Sequence, residues 1–510
     1  MGDGVLALLR FSGDVGIKAR ATRRQFERRL IHNLRDAISS QGSSRHIRVS
    51  RDRVFIELGS RSEVETLTRV FGVQSVSLVE RRSGTQLQEI VNAGEELYRE
   101  RVRGRRFAVR ARRVGDRSRI PVSAREVERA LGAALLPVSA GVDLDDPEVT
   151  AHVEILENET CLLSDRIAAH GGIPLGVEGE AVALVSGGFD SAVAAWQLLK
   201  RGVRLDYVFC NLGGASHLQG VLRVVKILAD RWSYGDHPRL HVVDFEELTA
   251  ELRARTETRY WQVLLKRLML RAAESIARER GAVAVVTGEA VAQVSSQTLQ
   301  NLSVISQVAS GLVLRPLVGF NKEEIIELAG LIGTFELSKV VGEYCAIVPS
   351  RPATRAALRA ILAEEEKLDL GLVEHSVAAR TVLDLRSFDV EKLDLPEIEV
   401  SRVPEDAIVI DLRSKAEFDS WHYPEALHLD FAEALRAFPR FDRSRTYVLY
   451  CELGLKSAHL AEHMRRDGLD AFHIKGGTKT LRRAEDRATG SRKDPSANGS
   501  AAKGPRGMRG

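Results

Sequence analysis

Two stretches of the 510-residue chain combine residue types at spacings that could do chemistry. The first is Ser186-Gly187-Gly188-Phe189-Asp190-Ser191. It follows the apolar run Ala181 to Val185, which reads as a buried parallel strand. After it, Ala192, Val193, Ala195, Trp196, Leu198 and Leu199 recur at helical spacing. A strand, a glycine turn and a helix start aim backbone N–H groups and a positive dipole end at one point, which suits a phosphate. The Lys-Ser/Thr of a Walker loop is missing. A tight turn without ligand is the alternative. The second stretch is Tyr447-Val-Leu-Tyr-Cys451-Glu-Leu-Gly-Leu-Lys-Ser457, a strand, a cysteine, a short loop and a helix. Loop N–H groups can wrap the sulfur, and the helix N-terminus favours a thiolate there. Such a thiolate is a nucleophile or a sulfur carrier. A phosphatase loop would carry Arg as the sixth residue after the cysteine; here that residue is Ser457, and the loop holds only Lys456.

Both stretches resemble known motifs. Ser186 to Ser191 resembles the S-G-G-x-D-S pyrophosphate loop of ATP pyrophosphatases, which split ATP to AMP while adenylating a substrate. Upstream of Cys451, Asp411, Arg413, Glu417-Phe418, His422, Pro424 and Ala426 resemble the rhodanese signature, which implies a persulfide on Cys451. An inactive structural rhodanese module is the alternative, but it would not require the cysteine.

Composition bounds the elements that must position these stretches. The length calls for several domains, since one core rarely serves more than about 250–300 residues. Hydrophobic content of 44% and charged content of 28% are those of a soluble globular protein. The net charge is only +4, but residues 1–50 hold ten Lys/Arg against four acids, and residues 101–125 hold ten Arg against Asp116 alone. That clustering points to a polyanion, and Arg105, Arg106, Arg110 and Arg112 are the candidate RNA contacts. Cys161, Cys210, Cys345 and Cys451 lie far apart with no C-x-x-C, so neither a zinc site nor a secreted disulfide framework is indicated. No metal-ligating set is expected. Val5 to Leu9 is too short for a signal peptide, and no segment approaches the ~20 apolar residues of a membrane span, so a cytoplasmic protein is expected.

In order, the pattern predicts a strand at 5–11, a basic-faced helix at 22–39, a strand over 47–58 and a helix at 64–71. Helices follow at 86–103 and 123–136, with an Arg-bearing strand at 107–113 and a hairpin over 149–165. Between about 177 and 390 strands and helices alternate, which predicts a parallel sheet with its site at the strand C-termini. Helices are expected at 219–232 and about 256–280, and glycine turns fall at 187–188, 213–214 and 288. Ser387 to Glu399 reads as an acidic linker, strands at 407–411, 446–450 and 471–474 as a second α/β unit, and the chain from about Ala484 as a disordered tail.

Together, an adenylating loop, a persulfide and a polyanion-binding half add up to ATP-dependent replacement of oxygen by sulfur on RNA. The chain resembles the tRNA 4-thiouridine synthase family in its long form with a C-terminal rhodanese domain. The matching residues are Gly171-Gly-Ile-Pro-Leu-Gly176, Ser186 to Ser191, Asn211-Leu-Gly-Gly214, Thr287-Gly-Glu-Ala290, Gln293-Val-Ser-Ser-Gln-Thr298, Arg315-Pro-Leu317 and Glu343-Tyr-Cys345. The resemblance implies a multidomain α/β protein: a ferredoxin-like domain at 1–75, a tRNA-binding THUMP domain at 76–168, a pyrophosphate-loop adenylating domain at 169–390, a rhodanese domain at 391–483 and a tail at 484–510. It implies uridine 8 as target, ATP and Mg²⁺ as cofactors, a cysteine desulfurase as sulfur donor and a thiol reductant. A thiamine-pathway role with a sulfur-carrier protein and a homodimer are also implied.

Site residues follow from the same resemblance. The backbone of Leu184 and Val185 faces adenine, and Ser186, Gly187, Gly188, Phe189, Asp190 and Ser191 hold the phosphates. Asp190 organises Mg²⁺ or the leaving pyrophosphate. Lys266, Gly288 and Gln297 contact ATP, with a snorkelling surface lysine the alternative at 266. Lys322 meets phosphate or transition-state charge, unless it is only a helix-start surface residue. Cys345 attacks the Cys451 persulfide or its adduct, leaving a Cys345–Cys451 disulfide, where the residues alone allow a plain buried thiol. That disulfide needs Cα atoms within roughly 7 Å, so the rhodanese domain must swing in on its linker. Cys161 and Cys210 read as structural. Other classes are a tRNA-binding sulfur relay with a degenerate ATP site, and an ammonia-using synthetase, which would leave Cys451 idle.

Overall fold

The computed structural model describes residues 5–42, 46–50, 53–212, 214–341, 351–390, 398–452 and 454–482. Cys345, Gly213, most of the linker and the tail from Ala484 lie outside them. The chain forms two compact units, one built from 1–211, 221–338 and 347–389, the other centred on the chain from Val390 onward.

The first unit begins with nine strands: β1 Val5–Phe11, β2 Ile47–Ser50, β3 Arg53–Leu58, β4 Val73–Ser83, β5 Arg106–Arg113, β6 Gly141–Val142, β7 Val149–Ile155, β8 Thr160–Leu163 and β9 Ile167–Ala168. They make one sheet in the order β2-β3-β1-β4-β8-β7-β5-β6, with β9 also on β4. Helix Arg20–Ser39 lays Phe26, Leu30, Leu34 and Ile38 inward, the face its sequence predicts. The expected strand over 47–58 is instead the hairpin β2–β3, with Ser50 opposite Arg53. The predicted helix at 86–103 spans only Leu87–Tyr98, started by a capping box between Gln86 and Glu89. β4 pairs with β1 on one side and β8 on the other, so the basic N-terminal half and the Arg-rich half share one sheet.

Strand pleating lets that sheet bury charge on one face. Glu154 on β7 accepts from Arg10 Nε at 2.8 Å and Arg53 Nε at 2.6 Å, and all three are almost fully buried. Burial raises the Glu154 pKa, but the two guanidiniums outweigh it and hold the carboxyl below its usual range.

The second sheet of this unit contains β10 Glu180–Leu184, β11 Arg204–Asn211, β12 Arg239–Asp244, β13 Ala284–Val286, β14 Leu312–Leu314 and β15 Thr381–Asp384, in the order β14-β13-β10-β11-β12-β15. All pairs are parallel except β12–β15. From β10 the chain goes first to one side (β11, β12), then to the other (β13, β14). The crevice outside the C-terminal ends of β10 and β13 is therefore the topological switch point, where open α/β sheets bind ligands. The long helix starts at Trp261, after a turn of 3₁₀ helix at 258–260 rather than at 256, and runs to Arg280. An additional helix, Glu246–Arg255, precedes it. The N-terminal half meets this domain at an aromatic cluster. Phe71 stacks on Trp232 at 5.7 Å, Trp196 meets Trp232 edge-on at 5.4 Å, and His170 sits 4.7 Å from Trp232. Helix Arg20–Ser39 adds polar ties, with Arg29 donating to the carbonyls of Leu175 and Gly235, both at 2.7 Å.

The second unit holds β16 Glu399–Val400, β17 Ile408–Asp411, β18 Leu427–His428, β19 Thr446–Tyr450 and β20 Asp470–Ile474, all parallel, in the order β16-β20-β19-β17-β18. Helix Leu455–Arg466 packs its Leu460, Ala461 and Met464 into the core beneath.

Candidate active site

The Ser186–Ser191 stretch folds as its sequence predicts. β10 ends at Leu184, and the Val185 N–H still donates to the Val208 carbonyl at 2.9 Å. Gly187 then takes φ +78°, a left-handed value that side chains resist. Gly188 caps helix Phe189–Lys200 with no side-chain hydrogen bond, so its first turn keeps open N–H groups. Ser191 Oγ braces the turn, accepting from Ser186 N at 3.3 Å and donating to the Gly188 carbonyl at 3.1 Å.

The β13 end closes against this loop. A Cβ on Gly288 would lie 2.6 Å from Asp190 C and Ser191 N. On one side of Gly288, Asp190 accepts from Lys322 Nζ at 3.1 Å and Gln293 Nε2 at 2.9 Å. Lys322 opens helix Lys322–Ile332, and its Nζ also sits 5.5 Å from the Phe189 ring centre. On the other side, the buried Glu289 accepts from Lys266 Nζ at 2.8 Å, Arg315 Nε at 2.8 Å and Thr287 Oγ1 at 3.1 Å. Burial pushes the Glu289 carboxyl up, but Lys266 and Arg315 pull it below its usual range, so it stays an anion. Gln297 is buried and accepts from Ala290 N at 3.4 Å. Its loop contains Ala292 at φ 66°, a strained value for a residue with a Cβ.

The structure thus brings Ser186 to Ser191, Lys266, Gly288, Gln297 and Lys322 to the ends of two adjacent strands. The anion that answers Lys266 here is Glu289. Glu289, Gln293 and Arg315 carry the same network, although sequence reading gave them no role. Their signal lay in the Thr287-Gly-Glu-Ala290, Gln293–Thr298 and Arg315-Pro-Leu317 matches. Arg106, Arg110 and Arg112 lie apart from this crevice, on β5, and are exposed with Arg105, while Phe107 and Val109 point into the core between them. Arg106 pairs with Asp143 at 3.4 Å, and Arg110 donates to the Leu144 carbonyl.

In the second unit, Cys451 follows β19 and is buried. Its carbonyl accepts from Thr478 N at 3.1 Å. Its Sγ lies 3.6 Å from Ser457 Oγ, which itself donates to the Gly454 carbonyl at 3.0 Å. Gly454 takes φ +90° to start helix Leu455–Arg466. A Cβ on Gly477 would strike the Cys451 carbonyl at 2.1 Å, so only glycine fits there. Of the upstream signature, Asp411 and Arg413 tie into this loop. Arg413 Nη2 donates to the fully buried Asp411 at 2.6 Å, and Nη1 reaches Glu452 at 3.8 Å. Glu417 closes the capping box of Ser414, and His422 stacks on Phe418 at 4.1 Å. Cys161 and Cys210 are buried free thiols; burial pushes Cys161 up to about 12 and Cys210 up as well.

Known proteins match this architecture along nearly its whole length. A tRNA sulfurtransferase of Thermoplasma acidophilum is 35% identical over 92% of this chain and 94% of its own. One of Desulfurococcus amylolyticus is 36% identical over 93% of this chain and 98% of its own. The chain belongs to the tRNA sulfurtransferase family. The family profile described as thiamine biosynthesis protein (ThiI) matches residues 176–370, flanked by its ferredoxin-like domain at 6–77, a THUMP domain at 84–165 and a rhodanese-like domain at 399–484. A crystal structure of a 4-thiouridine synthetase–RNA complex with bound ATP superposes with TM-score 0.66 and 30% identity, covering 75% of this chain and 99% of that one.

Proposed function

We propose that this protein uses ATP to replace the C4 oxygen of tRNA uridine 8 by sulfur carried as a persulfide on Cys451. The observation that carries the proposal is the pairing, in one chain, of a glycine loop at a sheet switch point with a cysteine loop whose sixth position is Ser457 rather than a phosphate-clamping Arg. Uridine O4 attacks the α-phosphorus of ATP, and pyrophosphate leaves. The terminal sulfur of the persulfide then adds at C4, and AMP leaves. Cys345 attacks Cys451 Sγ of the adduct, releasing thiouridine and forming a Cys345–Cys451 disulfide. A thiol reductant returns two electrons. Attack of Cys345 on the persulfide itself, releasing hydrosulfide to C4, balances equally.

The crevice suits ATP: Gly187 and Gly188 would let a phosphate chain approach backbone, Gly288 lets the end of β13 close against Asp190 and Ser191, and Leu184, Val185, Lys266 and Gln297 are the further candidate ATP contacts. Mg²⁺ would arrive on the phosphate oxygens. Among the described residues no group of three or more His, Cys, Asp or Glu could hold it, and Asp190 would reach it by exchanging Lys322 or Gln293. Arg105, Arg106, Arg110 and Arg112 offer the exposed charge for tRNA. A cysteine desulfurase loads Cys451. A second use of the same persulfide, passed to a sulfur-carrier protein for the thiazole of thiamine, is part of the proposal; the matched profile's description as a thiamine biosynthesis protein supports a place in that pathway. No helix among the described residues is long and apolar enough to cross a membrane. We place the reaction in the cytoplasm, with a homodimer as the working unit and residues 1–75, 76–168, 169–390 and 391–483 as its domains.

The test is nucleoside mass spectrometry after incubation with unmodified tRNA, ATP–Mg²⁺, cysteine and a desulfurase. Thiouridine should form, vanish in Cys451→Ala, and also be lost in Cys345→Ala, where nothing breaks the S–S bond that holds the sulfur on Cys451. A persulfide on Cys451 with no thiouridine would leave only the relay for thiamine synthesis.

A further inference from the structure

Arg315 has an uneven set of partners. The Thr287 N–H donates to the Leu314 carbonyl at 3.0 Å, so Arg315 leaves β14 beside the Thr287-Gly-Glu turn. Pro316 follows and keeps Arg315 extended. Its Nε is committed to Glu289 at 2.8 Å, and the side chain is 15% exposed. Its Nη2 is buried and meets no acceptor. A guanidinium carries five donors in a rigid fork, and a buried donor left unmet is costly. Lys266 shares the same carboxylate from the other side, with Nζ at 2.8 Å from Oε1. Glu289 therefore fixes two cations, the candidate ATP contact Lys266 and Arg315, and Arg315 keeps one donor unmet.

We propose that Arg315 is an anion-contact residue of this crevice. Glu289 holds the guanidinium through Nε, and Nη2 takes a phosphate oxygen of the nucleotide or of the pyrophosphate it releases. The inference rests on the reading of the crevice as an ATP site and adds a residue to it. Lysine is a poor substitute, because its ammonium is a point charge on a flexible stem and lacks the rigid planar fork that spans Glu289 and a phosphate.

Full-length wild type, Arg315→Gln and Arg315→Lys are compared by calorimetric titration with α,β-methylene ATP, inorganic pyrophosphate and adenosine, each with Mg²⁺. Both variants should lose about ten-fold or more in affinity for pyrophosphate and for the analogue, the loss of one charge-assisted hydrogen bond. Adenosine binding should stay within about two-fold, because a contact to phosphate does not touch the nucleoside, whereas a collapsed scaffold would weaken all three. Unchanged pyrophosphate affinity in both variants, or a parallel loss for adenosine, overturns the inference while the ATP site stands. A wild type that binds neither pyrophosphate nor the analogue overturns the ATP reading and this inference together.

Discussion

Gly288→Ala is a small change with a large expected effect. The added Cβ would sit 2.6 Å from Asp190 C and Ser191 N and 2.8 Å from Asp190 O. Optimal heavy-atom separation is ~3.5–4.0 Å, so the overlap is roughly 1 Å. The atoms struck are backbone, and no rotamer change relieves them. Gly288 is not in the left-handed region, so alanine suffers no φ penalty and the effect is steric alone. β13 is held between β10 and β14, which leaves the start of helix Phe189–Lys200 to move. Overpacking of this kind costs about 1–3 kcal/mol, while a displacement of about 1 Å in a positioning loop costs about 10²-fold in rate. AMP release from ATP in the presence of tRNA should fall by about that factor, with a fall in Tm of only a few degrees. A variant that releases AMP within about three-fold of wild type would refute the claim that this contact sets the loop.

Other perturbations reach other parts of the chain. Glu154→Gln leaves Arg10 and Arg53 buried without their carboxylate and should cost about 3–5 kcal/mol, read by denaturant midpoint. The Glu154 carboxyl is depressed in the folded protein, so its contribution is complete above the usual carboxylate range and drains away as pH falls through and below it; the variant should lose that part of the acid dependence. In the second unit, burial holds the His473 imidazole at about 4 against its ordinary 6.5. The unfolded chain therefore binds the extra proton first as pH drops, and stability falls between those values by on the order of 3 kcal/mol. Hydrogen exchange across β20 at pH 7 and pH 5 checks this, with His473→Gln expected to flatten the difference. Replacing Arg105, Arg106, Arg110 and Arg112 by alanine should weaken tRNA binding and reduce the slope of log K against log salt by about 0.7–0.9 for each phosphate these arginines neutralise; an unchanged slope removes β5 from the interface.

Local patterns were legible and distant pairings were not. The short apolar run before Ser186 and the glycines after it announce strand, turn and helix, because each signal lies within a dozen residues. The Cys451 loop reads the same way. β4 escaped notice: Val73, Val76 and Leu78 match neither period cleanly, because the strand is buried on both faces where two halves meet. Helix Glu246–Arg255 buries only Leu248 and Leu252, too thin a stripe to stand out among its charges. Glu289 joins Lys266 and Arg315 across 23 and 26 residues, and Arg10 meets Glu154 across 144. No window carries such pairs. They exist only once the sheet order has set which strand ends are neighbours.

The aromatic junction has an experimental use. Trp196 and Trp232 are two of the four tryptophans in the chain, and they lie edge to face at 5.4 Å with Phe71 and His170 against them. Indoles that close share excited states and give strong near-ultraviolet circular dichroism, and an adjacent imidazole quenches their emission. Half of the protein's tryptophans therefore report one seam, that between the N-terminal half and the nucleotide domain. Stopped-flow fluorescence on mixing with tRNA would follow any opening of that seam in real time, with no label attached.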